Sequence, residues 1–281
     1  MELWYTEKHT EGTGITIKVK ETLFSGKSDF QKLTILDTDE YGKVMLLDGL
    51  VMLTEKDEFV YHEMISHPAL YAHPNPKKVL IIGGGDGGTL REVVRHSTVE
   101  KAVLAEIDEL VVEASKRFFP TLATAFNSPK AEVRITDGIR YVKETTERFD
   151  VILIDSTDPI GPAEGLFNFE FYQNCSKILT EDGIIVTQSE TPFISDFAKF
   201  IPIVQDHLRR LFPINKLYLA NIPTYPTGLW CFSLGSKKYN PMESFQQQRY
   251  LNDNLDFSYY NDEIHRSAFS LPNFVKKLVV K

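Results

Sequence analysis

Over the first 55 positions apolar and polar residues alternate or gather in short β-rich runs: "GITIKVKETLF", "FQKLTIL", "KVMLLD" and "LVMLTE". None of these keeps a 3.6-residue period, so they read as strands. Asp48-Gly49, between the last two, is a hairpin-turn dipeptide. A small antiparallel β-domain over residues 1–55 is expected. The period then changes. In "KDEFVYHEMISHPALYA", residues 56–72, Phe59, Val60, Met64 and Ile65 fall at helical spacing, and the helix should end before His73-Pro74.

From residue 77 strand-like and helix-like stretches take turns. The strand candidates are 78–83, 101–107, 131–136, 149–155 and 183–189, separated by helical stretches such as "ELVVEASKRFF" and "FYQNCSKIL". Alternation of this kind predicts an α/β unit, a mostly parallel sheet with helices on both faces. "NKLYLANI" and "GLWCFSLGS" are joined by "PTYPT", too short for a crossover helix, and should form an antiparallel hairpin at one edge. The tail is expected to be helical near "DEIHRSAF" and "NFVKKLVV" and to pack back on this second domain, residues 56–281.

Charge narrows the partners. Thirty-one Lys and Arg stand against 39 Asp and Glu, a net charge of −8. The basic pairs Lys77-Lys78, Arg209-Arg210 and Lys237-Lys238 are scattered, so no nucleic-acid footprint is expected. The start "MELWYTEKHT" has no apolar leader, and no run approaches a membrane span. Cys175 and Cys231 lie in apolar contexts. The expectation is a reduced, cytoplasmic protein that attracts cations.

Acids recur where the strands end. Asp86 follows the first strand of the α/β unit, Glu106 ends the second, Asp137 follows the third, Asp155 ends the fourth with Asp158 just beyond, and Glu190 follows the fifth. Ligands of open parallel sheets bind at these ends. Several carboxylates in one cleft repel each other unless a cation or donors compensate them. "VLIIGGGDGG" fits G-x-G-x-x-G with Gly83, Gly85 and Gly88, and Glu106 stands about twenty residues on, where an acid binds ribose hydroxyls. Asp137-Gly138 can receive an adenine amino group. Asp86 inside the glycine loop argues against a pyrophosphate and for an adenosine ligand carrying positive charge. Decarboxylated S-adenosylmethionine has the sulfonium and an ammonium, and lacks the carboxylate that Asp86 would repel.

The stretch "DSTDPIGPAEGLF", residues 155–167, reads as a Pro/Gly-rich lid with little packing of its own. Tyr61 and Tyr225, read alone, are core aromatics. "HEMISH" has the wrong spacing for a zinc helix, and Cys231 reads as strand packing, so no metal is expected.

"GGGDGG", "AEID" and "DSTDPIGPAEGLF" resemble the motifs of the spermidine synthases, the polyamine aminopropyltransferases. "LLDGLVMLTEKDEFVYHEM", "ANIPTYPTGLW" and "IHRSAFSLPNFV" are similar to the same family in the same order. The resemblance implies a methyltransferase-like Rossmann fold behind an N-terminal β-domain that assembles a homodimer or homotetramer. It gives Gln31, Gly83, Gly85 and Glu106 to the nucleoside, with Asp137, Gly138 and Pro162 at its adenine. Asp86 then holds the aminopropyl group. Tyr61, His62, Ser156, Thr157, Asp158 and Tyr225 line the diamine channel, and Asp155 is the proton acceptor. His62 departs from relatives with glutamine there, its protonation open; Met52 receives no role. The implied reaction moves the aminopropyl group to putrescine, giving spermidine and methylthioadenosine. It needs no cofactor, since the sulfonium is already an activated leaving group. An S-adenosylmethionine-dependent N-methyltransferase and a non-catalytic polyamine-binding protein are the alternatives.

Overall fold

The computed structural model describes residues 2–157 and 161–279, the side chains of 161–163 excepted. Its first sheet is antiparallel, with strands β1 (Leu3–Lys8), β2 (Gly14–Lys27), β3 (Lys32–Thr38), β4 (Lys43–Leu47) and β5 (Leu50–Thr54) side by side in chain order. The β4–β5 turn is Asp48-Gly49, and both residues have positive φ, 49° and 86°. Sequence patterning missed β1. It is an edge strand that shows most of its side chains to solvent, Leu3 and Trp4 among them, so no apolar run marks it.

Then follow α1 (Glu58–Ala72), β6 (Lys78–Gly83), α2 (Gly88–Arg95), β7 (Lys101–Glu106), α3 (Glu109–Phe118), α4 (Pro120–Ala123) and β8 (Ala131–Ile135). The chain continues through α5 (Gly138–Glu144), β9 (Phe149–Asp155), a 3-10 helix (Gly161–Phe167), α6 (Phe169–Ile178) and β10 (Leu179–Gln188). It ends with α7 (Ser195–Ala198), α8 (Phe200–Leu211), β11 (Ile214–Asn221), β12 (Leu229–Ser236), α9 (Gln247–Asp253), α10 (Asp262–Ser267) and α11 (Asn273–Val279).

The second sheet runs β11-β12-β10-β9-β6-β7-β8, parallel from β10 to β8, with β12 antiparallel to both β10 and β11 in the edge hairpin. After β6 the chain turns to one side for β7 and β8, then returns to the other for β9. The loops leaving β6 and β9 therefore diverge and leave a crevice at their carboxyl ends.

Period-two alternation assigns the two faces. Val79, Ile81, Val151, Leu153, Ile184 and Val186 join α1 and α2 in one core. Leu80, Ile82, Ile152, Ile154 and Ile185 join α5, α6 and α8 in the other. Helix α1 is buried on nearly every side, all of Val60–Ala72 included. One of those residues is an acid. The Glu63 carboxylate accepts the backbone N–H groups of Ser258, Tyr259 and Tyr260 at 2.8, 2.9 and 2.7 Å, docking the tail on the core. The small sheet packs Leu33, Ile35, Met45 and Leu53 against α3 and α4, which closes the crevice from above.

Candidate active site

One cavity lies between the small sheet and the carboxyl ends of β6, β7 and β9. It brings together the described residues singled out from the sequence, Gln31, Tyr61, His62, Gly83, Gly85, Asp86, Glu106, Asp137, Gly138, Asp155, Ser156, Thr157 and Tyr225. Asp158 and the side chain of Pro162 lie outside the described residues.

The glycine loop starts where β6 meets β9, Gly83 standing opposite Asp155 in the register. Gly83 has φ +79°, and a Cβ there would sit 2.1 Å from the Asp155 carbonyl oxygen. At Gly88 a Cβ would meet the His62 ring at 2.3 Å. Any side chain would push the loop off the residues flanking it, so glycine is required for close passage.

On the far side of that loop the charges form a chain. Asp86 Oδ1 accepts the Gly88 N–H at 2.7 Å and lies 3.1 Å from His62 Nε2. His62 Nδ1 is 2.6 Å from Glu58 Oε2, and Arg91 grips both Glu58 oxygens at 2.9 Å. Burial disfavours a charged His62, yet Asp86 and Glu58 outweigh it and hold the imidazole well above its ordinary pKa. Both ring nitrogens of His62 thus face carboxylates, an environment that favours the protonated ring. Burial likewise works against ionised Asp86, but His62 and the Gly88 N–H keep that carboxyl below its usual value.

Asp155 goes the other way. Burial, then the charge of Asp86, pushes its carboxyl up to about 6, although it accepts Thr89 Oγ1 at 2.6 Å and the Tyr61 hydroxyl. Ligand atoms of His62, Asp86 and Asp155 all lie within 4.8 Å of one another. Two neighbouring carboxylates have had their affinities for a proton driven apart, an arrangement suited to one fixed anion and one base.

In the nucleoside half, Glu106 accepts Gly85 N–H at 3.1 Å and Asp108 N–H at 2.8 Å, while burial lifts its carboxyl to about 7. Asp137 caps α5, accepting the Ile139 N–H at 2.8 Å. Gln31 comes from the small sheet and donates from Nε2 to Asp108 at 2.9 Å. In the other half the Tyr61 ring meets Tyr225 at 5.7 Å and Phe232 at 5.5 Å. Tyr225 donates its hydroxyl to the Met52 carbonyl at 2.7 Å. Ser156 Oγ and Trp230 Nε1, both on the cavity wall, are buried without a hydrogen-bond partner among the described residues.

Some expectations need correction. Glu190 does not line the cavity; its φ of +66° turns the chain as it leaves β10, and its carbonyl accepts the Cys231 N–H at 3.0 Å. At the end of the stretch 155–167, Phe167 is buried and meets Phe200 at 5.8 Å. His67 of "HEMISH" turns to His96 and Glu92, at 2.9 and 3.1 Å, away from His62. Cys175 and Cys231 are buried free thiols. Sequence reasoning missed Glu7, which reaches the cavity from the unforeseen β1, and Glu58, whose partner four residues on was the available signal. Met52, given no role, contributes both wall and carbonyl.

A family model described as the spermine/spermidine synthase domain matches residues 58–246, and a spermidine synthase tetramerisation domain matches residues 3–55. The polyamine aminopropyltransferase of Thermoanaerobacter sp. (strain X514) is 52% identical over 278 residues, 99% of each chain. That of Shouchella clausii is 48% identical over 279 residues, 99% of this chain and all of its own. Among solved structures, a spermidine synthase in complex with the transition-state analogue AdoDATO superposes with a TM-score of 0.95 at 44% identity, over 99% of this chain and 94% of its own. The spermidine synthase of Thermotoga maritima gives 0.92 at 43%, with the same coverage.

Proposed function

The chain belongs to the spermine/spermidine synthase family and is a polyamine aminopropyltransferase, and from that premise we propose that it moves the aminopropyl group of decarboxylated S-adenosylmethionine to putrescine. The observation that carries the substrate assignment is Asp86, an ionised carboxylate set between a nucleoside pocket and a proton-accepting Asp155. It accounts for a donor with an ammonium and no carboxylate.

Glu106, Gln31, Asp137 and Gly138 hold the nucleoside, and Gly83 and Gly85 let it approach the sheet. Asp86 holds the aminopropyl ammonium. Tyr61, His62, Ser156, Thr157, Asp158 and Tyr225 receive the diamine, and Pro162 belongs to the lid over the adenine. An amine of pKa about 10 cannot attack while protonated. Asp155 takes that proton, the C–N bond forms as the C–S bond breaks, and the sulfonium leaves as neutral methylthioadenosine. Fixing both reactants at about 3–3.5 Å supplies much of the acceleration. We read Asp86 and Asp155 as an ammonium site, with His62 fixed behind it between Glu58 and Asp86.

Assembly is proposed through the small sheet, as a homotetramer, in keeping with the tetramerisation-domain match and with Leu3 and Trp4, 52% and 54% exposed on its edge. Among the described residues no helix is long and apolar enough to cross a membrane, and we place the protein in the cytoplasm.

Purified protein mixed with putrescine and either sulfonium donor tests the reaction, the products being identified by mass. Spermidine and methylthioadenosine from the decarboxylated donor alone are expected. N-methylputrescine from the full donor would overturn the assignment.

A further inference from the structure

Asp57 occupies the N-cap position of α1, where an aspartate ordinarily accepts an N–H of its own first turn. Its carboxylate makes no such bond. Oδ1 accepts Thr54 Oγ1 at 2.6 Å, and Oδ2 accepts both the N–H and Oγ1 of Thr224, at 3.0 and 2.7 Å, 167 residues further on. Asp57 and Thr224 are 5% and 1% exposed, so water does not compete for these charge-assisted bonds.

Thr224 precedes Tyr225 in the connection between β11 and β12. That connection is a tight unit: Tyr225 N–H reaches the Ile222 carbonyl at 3.1 Å, Gly228 N–H reaches the Tyr225 carbonyl at 2.9 Å, and Thr227 has φ +65°. Moving Thr224 therefore moves the Tyr225 ring against Tyr61. The next residue, Glu58, opens α1 and engages His62 and Arg91, and through His62 it backs Asp86. Of two adjacent acids at this helix start, one thus braces the β11–β12 connection and the other braces His62 behind Asp86.

We propose that Asp57 is a positioning residue for the acceptor amine, acting by clamping Thr224 and so setting the Tyr61–Tyr225 wall. The proposal rests on the acceptor occupying that half of the cavity. Two other ties, Tyr225 to Met52 and Thr227 to Thr191 at 2.7 Å each, keep the connection from coming loose when the clamp is lost.

Steady-state kinetics of the full chain with both substrates varied test it. Asp57→Asn should raise the acceptor KM about tenfold, the scale of a lost bond to a buried charge, and leave the donor KM within about twofold. Thr224→Val should do the same more weakly, since the N–H bond remains, and Thr224→Ser should restore wild-type values. Asp57→Asn with Thr224→Val should be no worse than Asp57→Asn alone. Equal changes in the two KM values, or a fall in melting temperature with both unchanged, would overturn the clamp. If Asp57→Asn does not fold, the Val and Ser pair at 224 decides alone. Tyr225→Ala separates the premise from the proposal. No change in acceptor KM there removes the channel itself, whereas a rise beside a silent Asp57→Asn removes only the role of Asp57.

Discussion

Nε2 of His62 lies 3.1 Å from Oδ1 of Asp86, so the residue that is to hold a substrate ammonium already has beside it an imidazole whose protonated form it favours. The arrangement has a physical use. An empty cleft holding Asp86 and Asp155 as bare neighbours would bind protons or stray cations. His62, backed by Glu58, supplies a fixed counter-charge and leaves Asp86 ionised to meet the donor.

Asp86→Asn should therefore weaken the decarboxylated donor and weaken the full one less. The donor carboxylate close to Asp86 costs about 4 kcal/mol at 4 Å and an effective dielectric of 20. His62 cancels part of this, so a change in preference of about tenfold is the expected remainder. Competitive binding of both donors to both proteins measures it. Equal weakening would reduce Asp86 to its bond with Gly88.

Asp155→Asn should abolish turnover and leave methylthioadenosine binding within a few-fold, because it removes the base and keeps the shape. Rapid-quench assays beside calorimetric titration separate the two quantities. A variant turning over near the wild-type rate would end the proton-acceptor role.

The pH profile follows from the same residue. Its carboxyl is pushed up to about 6 by burial and Asp86, and only the ionised form accepts a proton. Activity should rise with pH through about 6, then rise further as free amine becomes available. A profile flat from pH 5 to 7 would contradict the assignment.

Glu106 should cost stability where it serves binding. Its carboxyl is raised to about 7 in the folded chain, so its contribution is full below the unfolded value near 4.5 and is lost as pH rises through 7. Across that window the unfolding free energy should fall by up to about 3 kcal/mol. Glu106→Gln should flatten the fall and weaken methylthioadenosine by about 1–3 kcal/mol. Denaturant titrations from pH 4 to 8 check the first effect. An equal fall in the Gln variant between pH 4.5 and 7 would assign the loss to another group.

The parallel sheet was legible because its strands are buried on both faces and read as unbroken apolar runs such as "VLII" and "VILI". The acids were legible because residues ending successive parallel strands share one edge. What escaped depends on contacts across the chain. Glu63 looks like a solvated helix residue until the backbone of residues 258–260 is folded against it. Asp57 looks like an ordinary cap until Thr224 arrives. The opening strand escaped for a different reason, its polarity being that of an exposed edge.

Gln31, delivered by the small sheet, donates to Asp108, two residues beyond Glu106 at the end of β7, and both Gln31 and Glu106 face the same cavity. The seam between the two halves of the chain thus runs through the reaction chamber instead of around it. Neither half can be swapped for that of a distant homologue, or drift on its own, without misaligning a nucleoside contact. Recombinants joined near residue 55 should therefore work only when both pieces come from parents that already agree on this contact.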